Sequence, residues 1–254
     1  MLRARNLAHV YEETTVFEGL SIGVEPGEVL AIIGPSGGGK TTLLELLSLS
    51  LPPTAGTVSV GGVDAWAADA ASRLALRRQV GMVFQEASLF GATVARNVEY
   101  GLRIRRSWRA RVRDQLSGLW GATETSPAVR DALAVVGMDE QRDQPAGALS
   151  GGEAQRVAFA RALAYDASVL LLDEPASDLD PRNTAALEAA IEEAASRGIG
   201  VVIATHDMHQ ARRVADRVGV LLDGRITEIG PPTQVFERPT DERTRRFISG
   251  ELVY

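Results

Sequence analysis

The chain of 254 residues contains no cysteine, which excludes a disulfide framework and any thiolate-held metal site. Long apolar runs are missing too. Stretches such as Val169–Leu172 and Val201–Ala204 fall far short of the roughly 20 apolar residues that a membrane span needs. The opening MLRARNLAHVYEE lacks the apolar centre of a secretory signal. These absences predict a cytoplasmic protein, so that work at a membrane would need spans from other chains. Lysine is nearly absent: of 27 Lys and Arg residues, Lys40 alone is lysine. An arginine bias of genomic origin converts ordinary surface cations to Arg. The lysine that remains marks a place where a compact ammonium on a thin stem serves and a wide planar guanidinium does not. The formal net charge of −6 argues against a general nucleic-acid binder, though not against a local basic patch.

What is present is ordinary for a globular protein, with 45% hydrophobic and 24% charged residues. The length suits one large domain, or a domain with a subdomain, and can bury a sizeable core. Strand-forming residues dominate 2–10 and 16–24, with a turn at Glu12–Thr15. EVLAII (28–33) predicts a buried strand ending at a glycine-rich loop, followed by a helix over 41–51 that Pro52 and Pro53 end. Further strands are predicted over 57–63, 81–85, 168–173, 200–205, 217–223 and 225–229. Helices are predicted over 151–164, 183–196 and 208–215, with a short helix in the connector 64–80. A mainly helical stretch runs from Val94 to about Val136, with a polar break near 121–126. The tail 231–254 shows a short helix and no stronger pattern. Strands alternating with helices at both ends, around a helical block near 94–160, predict an α/β core with a helical insertion.

Three motifs carry chemistry. Gly34-Pro35-Ser36-Gly37-Gly38-Gly39-Lys40-Thr41, continued by Thr42, fits G-x-x-x-x-G-K followed by Ser or Thr, between an apolar strand and a helix. Its glycines let backbone N–H groups converge on a phosphate, and the helix start adds partial positive charge. Lys40 is expected to reach β- and γ-phosphates and Thr41 to offer a hydroxyl to Mg²⁺. The plain alternative is a glycine turn capping a helix; the strand–loop–helix context and the lone lysine weigh against it. The second motif is Val169–Asp173 with Glu174. An apolar strand ending in a carboxylate places that group at the carboxyl edge of a parallel sheet, where ligands bind. Asp173 suits the Mg²⁺ shell, and Glu174 suits orienting or deprotonating an attacking water. Alone the motif could be an acidic turn before Pro175; its force comes from the phosphate loop. The third is Leu149-Ser150-Gly151-Gly152-Glu153. Ser150 and Glu153 form a capping-box pattern, which by itself is structural. The two glycines leave N–H groups open to an anion, so a second phosphate site is predicted.

With these in place the chain resembles the ABC ATPase family over nearly its whole length. GPSGGGKTT looks like that family's Walker A, VLLLDEP its Walker B and LSGGE its signature. Gln85 matches the Q-loop glutamine, Ser177-Asp178-Leu179-Asp180 the D-loop and His206 the H-loop histidine. Tyr11 sits where the family has an aromatic that stacks on adenine. Without the resemblance, His206 would pass for a structural histidine and Tyr11 for a strand aromatic. Asp178 stands where the family often has a small neutral residue, which puts the D-loop detail in doubt. The resemblance implies a P-loop NTPase core with a mainly parallel sheet, an N-terminal antiparallel β subdomain and an inserted helical subdomain. It divides one domain over 1–254 into a core (1–93 and 161–230), a helical subdomain (about 94–160) and a tail (231–254). It implies ATP hydrolysis with Mg²⁺ on Thr41, Asp173 and Gln85. Glu174, His206, Gln85 and Lys40 would be catalytic. Tyr11, Gly34–Thr42, Ser150, Gly151, Gly152, Glu153 and Asp180 would bind nucleotide, in a head-to-tail homodimer that closes on ATP.

The stretch Thr93-Val94-Ala95-Arg96-Asn97-Val98-Glu99-Tyr100-Gly101-Leu102 and the tail from Arg245 are similar to importer ATPases, with tungstate or molybdate the first expected solute and phosphate the second. The resemblance implies membrane-spanning permease partners at the cytoplasmic face of the membrane and, indirectly, an extracytoplasmic solute-binding protein. Arg103, Arg105, Arg106, Arg109, Arg111 and Arg113 form a basic run around Trp108. It reads as a solvated helix face rather than a nucleic-acid patch, and no nucleic-acid partner is expected. Trp66 and Trp120 read as packing residues. A soluble ABC protein acting on ribosomes or DNA would carry two ATPase units or long coiled coils, and neither pattern occurs. A scaffold without turnover would lack Glu174, Gln85 or His206, and all three are present. A stand-alone exporter ATPase survives these tests.

Overall fold

The computed structural model describes residues 1–11, 13–105, 125–165 and 167–251, with the backbone alone at 103–105. In chain order these hold β1 (Leu2–Tyr11), β2 (Thr14–Val24), β3 (Val29–Ile33), α1 (Lys40–Leu47), β4 (Ala55–Val60), β5 (Val63–Asp64), α2 (Ala70–Arg77), β6 (Val80–Val83), α3 (Val94–Arg105) and α4 (Pro127–Val135). There follow α5 (Gly151–Leu163), β7 (Val169–Asp173), α6 (Pro181–Ser196), β8 (Gly200–Thr205), α7 (Met208–Val214), β9 (Arg217–Leu222), β10 (Arg225–Gly230), α8 (Pro232–Glu237) and α9 (Glu242–Ile248). Arg106, Trp108, Arg109, Arg111, Arg113, Trp120, the polar break over 121–124 and the last three residues of the tail lie outside the described residues.

The chain forms two compact units. The first comprises Met1–Gln85, Ser168–Ser177 and the part from Ile191 onward; the second comprises Glu86–Ala167 and Asp178–Ala190. The first unit holds both sheets. One has the order β10-β9-β3-β8-β7-β6, parallel throughout except for the antiparallel β9–β10 hairpin at one edge. Its inner strands VLAII, VLLLD and GVVIAT are buried at every position. Apolar runs without alternation belong to strands covered on both faces, and that is why they read as continuous hydrophobic stretches. Cutting Leu171, wholly buried in this sheet, to Ala would cost about 2–5 kcal/mol. The other sheet is antiparallel, in the order β2-β1-β4-β5. The second unit, among the described residues, is helical: α3, α4, α5 and the first part of α6.

Two local expectations need correction. The helix predicted over 41–51 stops at Leu47. The Ser48 hydroxyl donates to the Glu45 carbonyl (2.9 Å), offering the backbone an alternative to another helical turn. Leu49 then takes a left-handed φ of 60°, a strain offset by burial of its side chain. The tail holds two helices rather than one. Glu228 organises them by accepting from the Thr240 and Asp241 N–H groups and from Gln234 Nε2. Burial alone would raise the Glu228 pKa, but these hydrogen bonds outweigh it and hold the carboxyl below its ordinary value. Its partners lie in a segment with no apolar period, so the arrangement left no pattern to read.

Candidate functional site

Parallel β3, β8 and β7 are neighbours in register, with Ile33 opposite Thr205 and Asp173 opposite Ala204. Their carboxyl ends therefore bring Gly34, His206 and Asp173-Glu174 to one edge of the sheet. Gly34 leaves β3 where a Cβ would strike the Leu221 carbonyl oxygen, so the loop starts flush against β9. Gly39 closes the loop as the N-cap of α1 with φ 90°, and a Cβ there would sit 3.1 Å from the Phe17 ring and Val16. Only glycine fits both that conformation and that contact. No side chain caps α1. Its first N–H groups are left for an external acceptor.

Lys40 is 6% exposed. Its Nζ donates to the Gly34 and Pro35 carbonyls at 3.0 and 3.1 Å and lies 3.5 Å from Glu174 Oε1. The Glu174 carboxylate is held at its other end by His206: Oε2 is 2.8 Å from Nδ1 and accepts from the His206 N–H at 3.3 Å. Glu174 itself has a left-handed φ of 44°, and its N–H donates to the Ala204 carbonyl at 2.8 Å. A glutamate in this region costs of order 1–3 kcal/mol and persists only where its surroundings over-determine it. This turn aims the side chain between a lysine and a histidine. Ser36, Gly37, Gly39, Lys40, Thr41, Thr42, Gln85, Asp173 and Glu174 line a cavity of about 260 Å³.

Asp173 is buried, and its Oδ1 has no hydrogen-bond partner among the described residues. Burial pushes its pKa above the ordinary value; a hydrogen bond from Thr41 and the Lys40 charge oppose this, and the Glu174 charge adds to it. An orphaned carboxylate oxygen beside a hydroxyl and an amide is an all-oxygen donor set for a small hard cation. Among the described residues no group of three or more His, Cys, Asp or Glu could cage a metal. Mg²⁺ takes one or two carboxylates and completes its shell with phosphate oxygens and water. The residues present fit the ion.

In the second unit Ser150 caps α5. Its N–H and hydroxyl both donate to Glu153 Oε2 at 2.8 Å, and the Glu153 N–H donates back to Ser150 Oγ at 3.4 Å. These bonds to Ser150 hold the Glu153 carboxyl below its ordinary pKa. Asp180 accepts from the Arg182 and Asn183 N–H groups at 2.9 and 3.1 Å, which starts α6. Ser150, Glu153 and Asp180 share a polar cavity of about 440 Å³ with Gln141, Arg156 and Asn183. Gly151 meets nothing nearby, whereas a Cβ on Gly152 would collide with Asn183. Sequence reasoning passed over Asn183; its signal was Asp180 three residues before it, a helix-start pair.

The remaining predicted residues are more scattered. Tyr11 ends β1, 57% exposed, and is not among the residues lining the first cavity. Its ring meets His9 edge to face, with centroids 5.6 Å apart. Trp66 is half-buried against the core, with the Arg73 guanidinium 5.0 Å from its ring. In the 88–102 stretch, buried Asn97 accepts from the Phe90 N–H at 2.7 Å and donates to the Phe90 and Thr93 carbonyls. Phe90 on the loop so pinned and Tyr100 on α3 are exposed, with ring centroids 4.4 Å apart.

Comparison with known proteins adds to this geometry. The family model described as ABC transporter matches residues 17–177. A probable anion import ATP-binding protein of Haloferax volcanii is 59% identical over 253 residues, covering 100% of this chain and 88% of its own. A phosphate import ATP-binding protein of Natronomonas pharaonis is 56% identical over the same shares of both chains. Relatives named for methionine import follow at 42% identity and below. Among solved structures, the dimeric MJ0796, described as a bacterial ABC transporter cassette, superimposes with a TM-score of 0.77. It is 27% identical, with 91% of this chain and 99% of that one covered.

Proposed function

This chain belongs to the ABC transporter family and is an ATPase, and from that premise we propose that it powers an importer of small oxyanions. The observation that carries the reading is 59% identity, across the whole chain, to a protein named for anion import. The expected order of solutes shifts. Phosphate and anion are the named cargoes of the two relatives above, so phosphate comes first and tungstate or molybdate second.

The chemistry follows from the chain's own groups. Lys40 donates to the carbonyls of its own loop and lies beside Glu174. An incoming triphosphate competes for that ammonium with a stronger, doubly anionic acceptor, while the uncapped start of α1 receives its oxygens. Drawing Lys40 away frees Glu174 Oε1 to accept from a water, and His206 keeps the other oxygen in place. Thr41, Asp173 and Gln85 would hold Mg²⁺, whose chemistry is to neutralise charge on the transferring phosphoryl group. Tyr11 gives the base a platform. Ser150, Gly151 and Gly152 of a second copy cover the γ-phosphate, with Glu153 and Asp180 at the same edge, so that ATP joins two copies and its hydrolysis releases them. ATP thereby binds one state better than the other, which any ligand-driven motion requires.

We further propose that the chain acts as one ATPase domain at the cytoplasmic face of a membrane. The described residues include no helix long and apolar enough to cross it, so permease subunits supply the spans. The Phe90–Tyr100 surface suits docking to them. The test is reconstitution of the complex that copurifies with this chain. ATP-dependent movement of phosphate, molybdate or tungstate into proteoliposomes carries the reading; movement of methionine with no oxyanion overturns it.

A further inference from the structure

We propose that Glu153 is a competitor built into the start of α5: its carboxylate holds both donors of Ser150 until a nucleotide carried by a second copy displaces it, and Arg182, across the same cavity, then takes the carboxylate. The inference rests on the reading in which Ser150 covers the γ-phosphate of ATP bound to another copy. Ser150 and Arg182 are exposed, so both can be reached from solvent. Ser150 gives its N–H and its hydroxyl to one oxygen, Glu153 Oε2, each at 2.8 Å. Another anion can accept from that hydroxyl only after a charge-assisted bond is broken, and such a bond is about twice as strong as a neutral one. It must also approach a carboxylate of its own sign.

Capping does not call for this charge, because a capping box closes with glutamine as with glutamate. The surroundings nevertheless keep the group ionised. The bonds from Ser150 do most to hold the Glu153 carboxyl below its ordinary pKa, and the charges of Arg156 and Arg182 add to them. The two arginines are differently committed. Arg156 Nη1 donates to the Val136 carbonyl at 2.8 Å. The Arg182 guanidinium makes no hydrogen bond among the described residues; only its backbone N–H is engaged, with Asp180. Asp180, the other carboxylate of the cavity, is already taken up by the N–H groups of Arg182 and Asn183 and by Asn183 Nδ2. Of the groups lining that cavity of about 440 Å³, Arg182 is therefore the cation open to a carboxylate turned away from Ser150. The exchange leaves no group without a partner: Ser150 passes from carboxylate to phosphate, and Glu153 from Ser150 to Arg182. It raises the nucleotide concentration at which two copies join. It also eases their parting after hydrolysis, because Glu153 returns to Ser150.

The test uses the full chain carrying Glu174→Gln and measures, by light scattering with Mg²⁺, the ATP concentration at which half the protein is dimeric. Adding Glu153→Gln, which keeps an acceptor for the cap, is expected to lower that concentration about 5- to 10-fold. Arg182→Ala is expected to raise it about 2- to 5-fold, the worth of an exposed ion pair. Glu153→Gln and Arg182→Ala together should match Glu153→Gln alone, since Arg182 acts through the carboxylate. A Glu153 that served the cap alone, or bound the nucleotide itself, would give no change or the opposite sign. An unchanged or higher concentration with Glu153→Gln therefore overturns the competitor. An unchanged value with Arg182→Ala, or additive effects in the double variant, overturns the handover to Arg182. Ser150→Ala separates these outcomes from the reading beneath them. If it leaves the concentration unchanged, or if ATP never joins two copies of the parent, the two-copy site falls. If it raises the concentration and Glu153→Gln fails to lower it, the competitor alone falls.

Discussion

The chain starts two helices with glycine-rich segments, α1 in the first unit and α5 in the second, and the two starts are finished differently. At α1 the N-cap is Gly39, no side chain serves the first N–H groups, and a buried lysine stands beside them. At α5 the N-cap is Ser150, and a carboxylate of the same helix has already taken its hydroxyl and its N–H. The first start has unmet donors and a cation, so it has a large affinity for an anion in reserve. At the second, Ser150 is already engaged with Glu153 and can reach another acceptor only by trading that bond. Under the proposed two-copy arrangement the start of α1 would act as the cradle and the start of α5 as the weaker lid.

That contrast can be broken at four points. Glu174→Gln keeps the cradle and removes the base. Hydrolysis is expected to fall by about 10²–10⁴-fold, the range for loss of a general base, while ATP still binds. Gel filtration of this variant with ATP and Mg²⁺ should show a dimer; a monomer throughout would count against the two-copy site. Lys40→Ala removes the cation that the cradle needs, and calorimetry should show ATP affinity reduced by roughly 100-fold, near the upper end for a charge-assisted contact. An unchanged affinity would end the reading of α1 as the strong half. Ser150→Ala weakens the lid alone. ATP binding to the single subunit should stay as in the wild type, ATP-driven dimerisation should need more nucleotide, and loss of the cap should destabilise the fold by about 0.5–2 kcal/mol in urea unfolding. An equal loss of single-subunit affinity would mean the two starts are not separate.

The smallest effect concerns pH. Asp173 has a folded pKa above its unfolded value, so its charged form is disfavoured in the native state. Stability linked to it is fully present below the unfolded pKa and is lost as pH rises through the folded one. Without nucleotide, Asp173→Asn should show a smaller decline in urea midpoint from mildly acidic to neutral pH than the parent, while losing Mg²⁺-dependent hydrolysis. Parallel declines in the two proteins would remove the argument from burial.

The cradle was legible in the sequence because its parts are contiguous: strand, loop, Lys40 and helix sit in one stretch, and Asp173-Glu174 end another apolar strand. The lid was legible as a pattern, but the pattern did not reveal that Glu153 already occupies both donors of Ser150. Other features had no linear signature. Glu228 is one acid among 33 Asp and Glu residues until the tail folds over it. The early end of α1 depended on a serine hydroxyl competing for a carbonyl, which apolar spacing does not register.

Composition and motif order by themselves determined the α/β class, the triphosphate chemistry and the candidate identities of Lys40, Asp173 and Glu174, since these depend on residue types at short spacings along the chain, whereas His206 came from the family resemblance alone. Tertiary structure alone decided how the carboxylate of Glu174 is shared between Lys40 and His206, and which oxygen of Asp173 is left without a partner. Those facts depend on which distant strands become neighbours, and on the removal of water from between them.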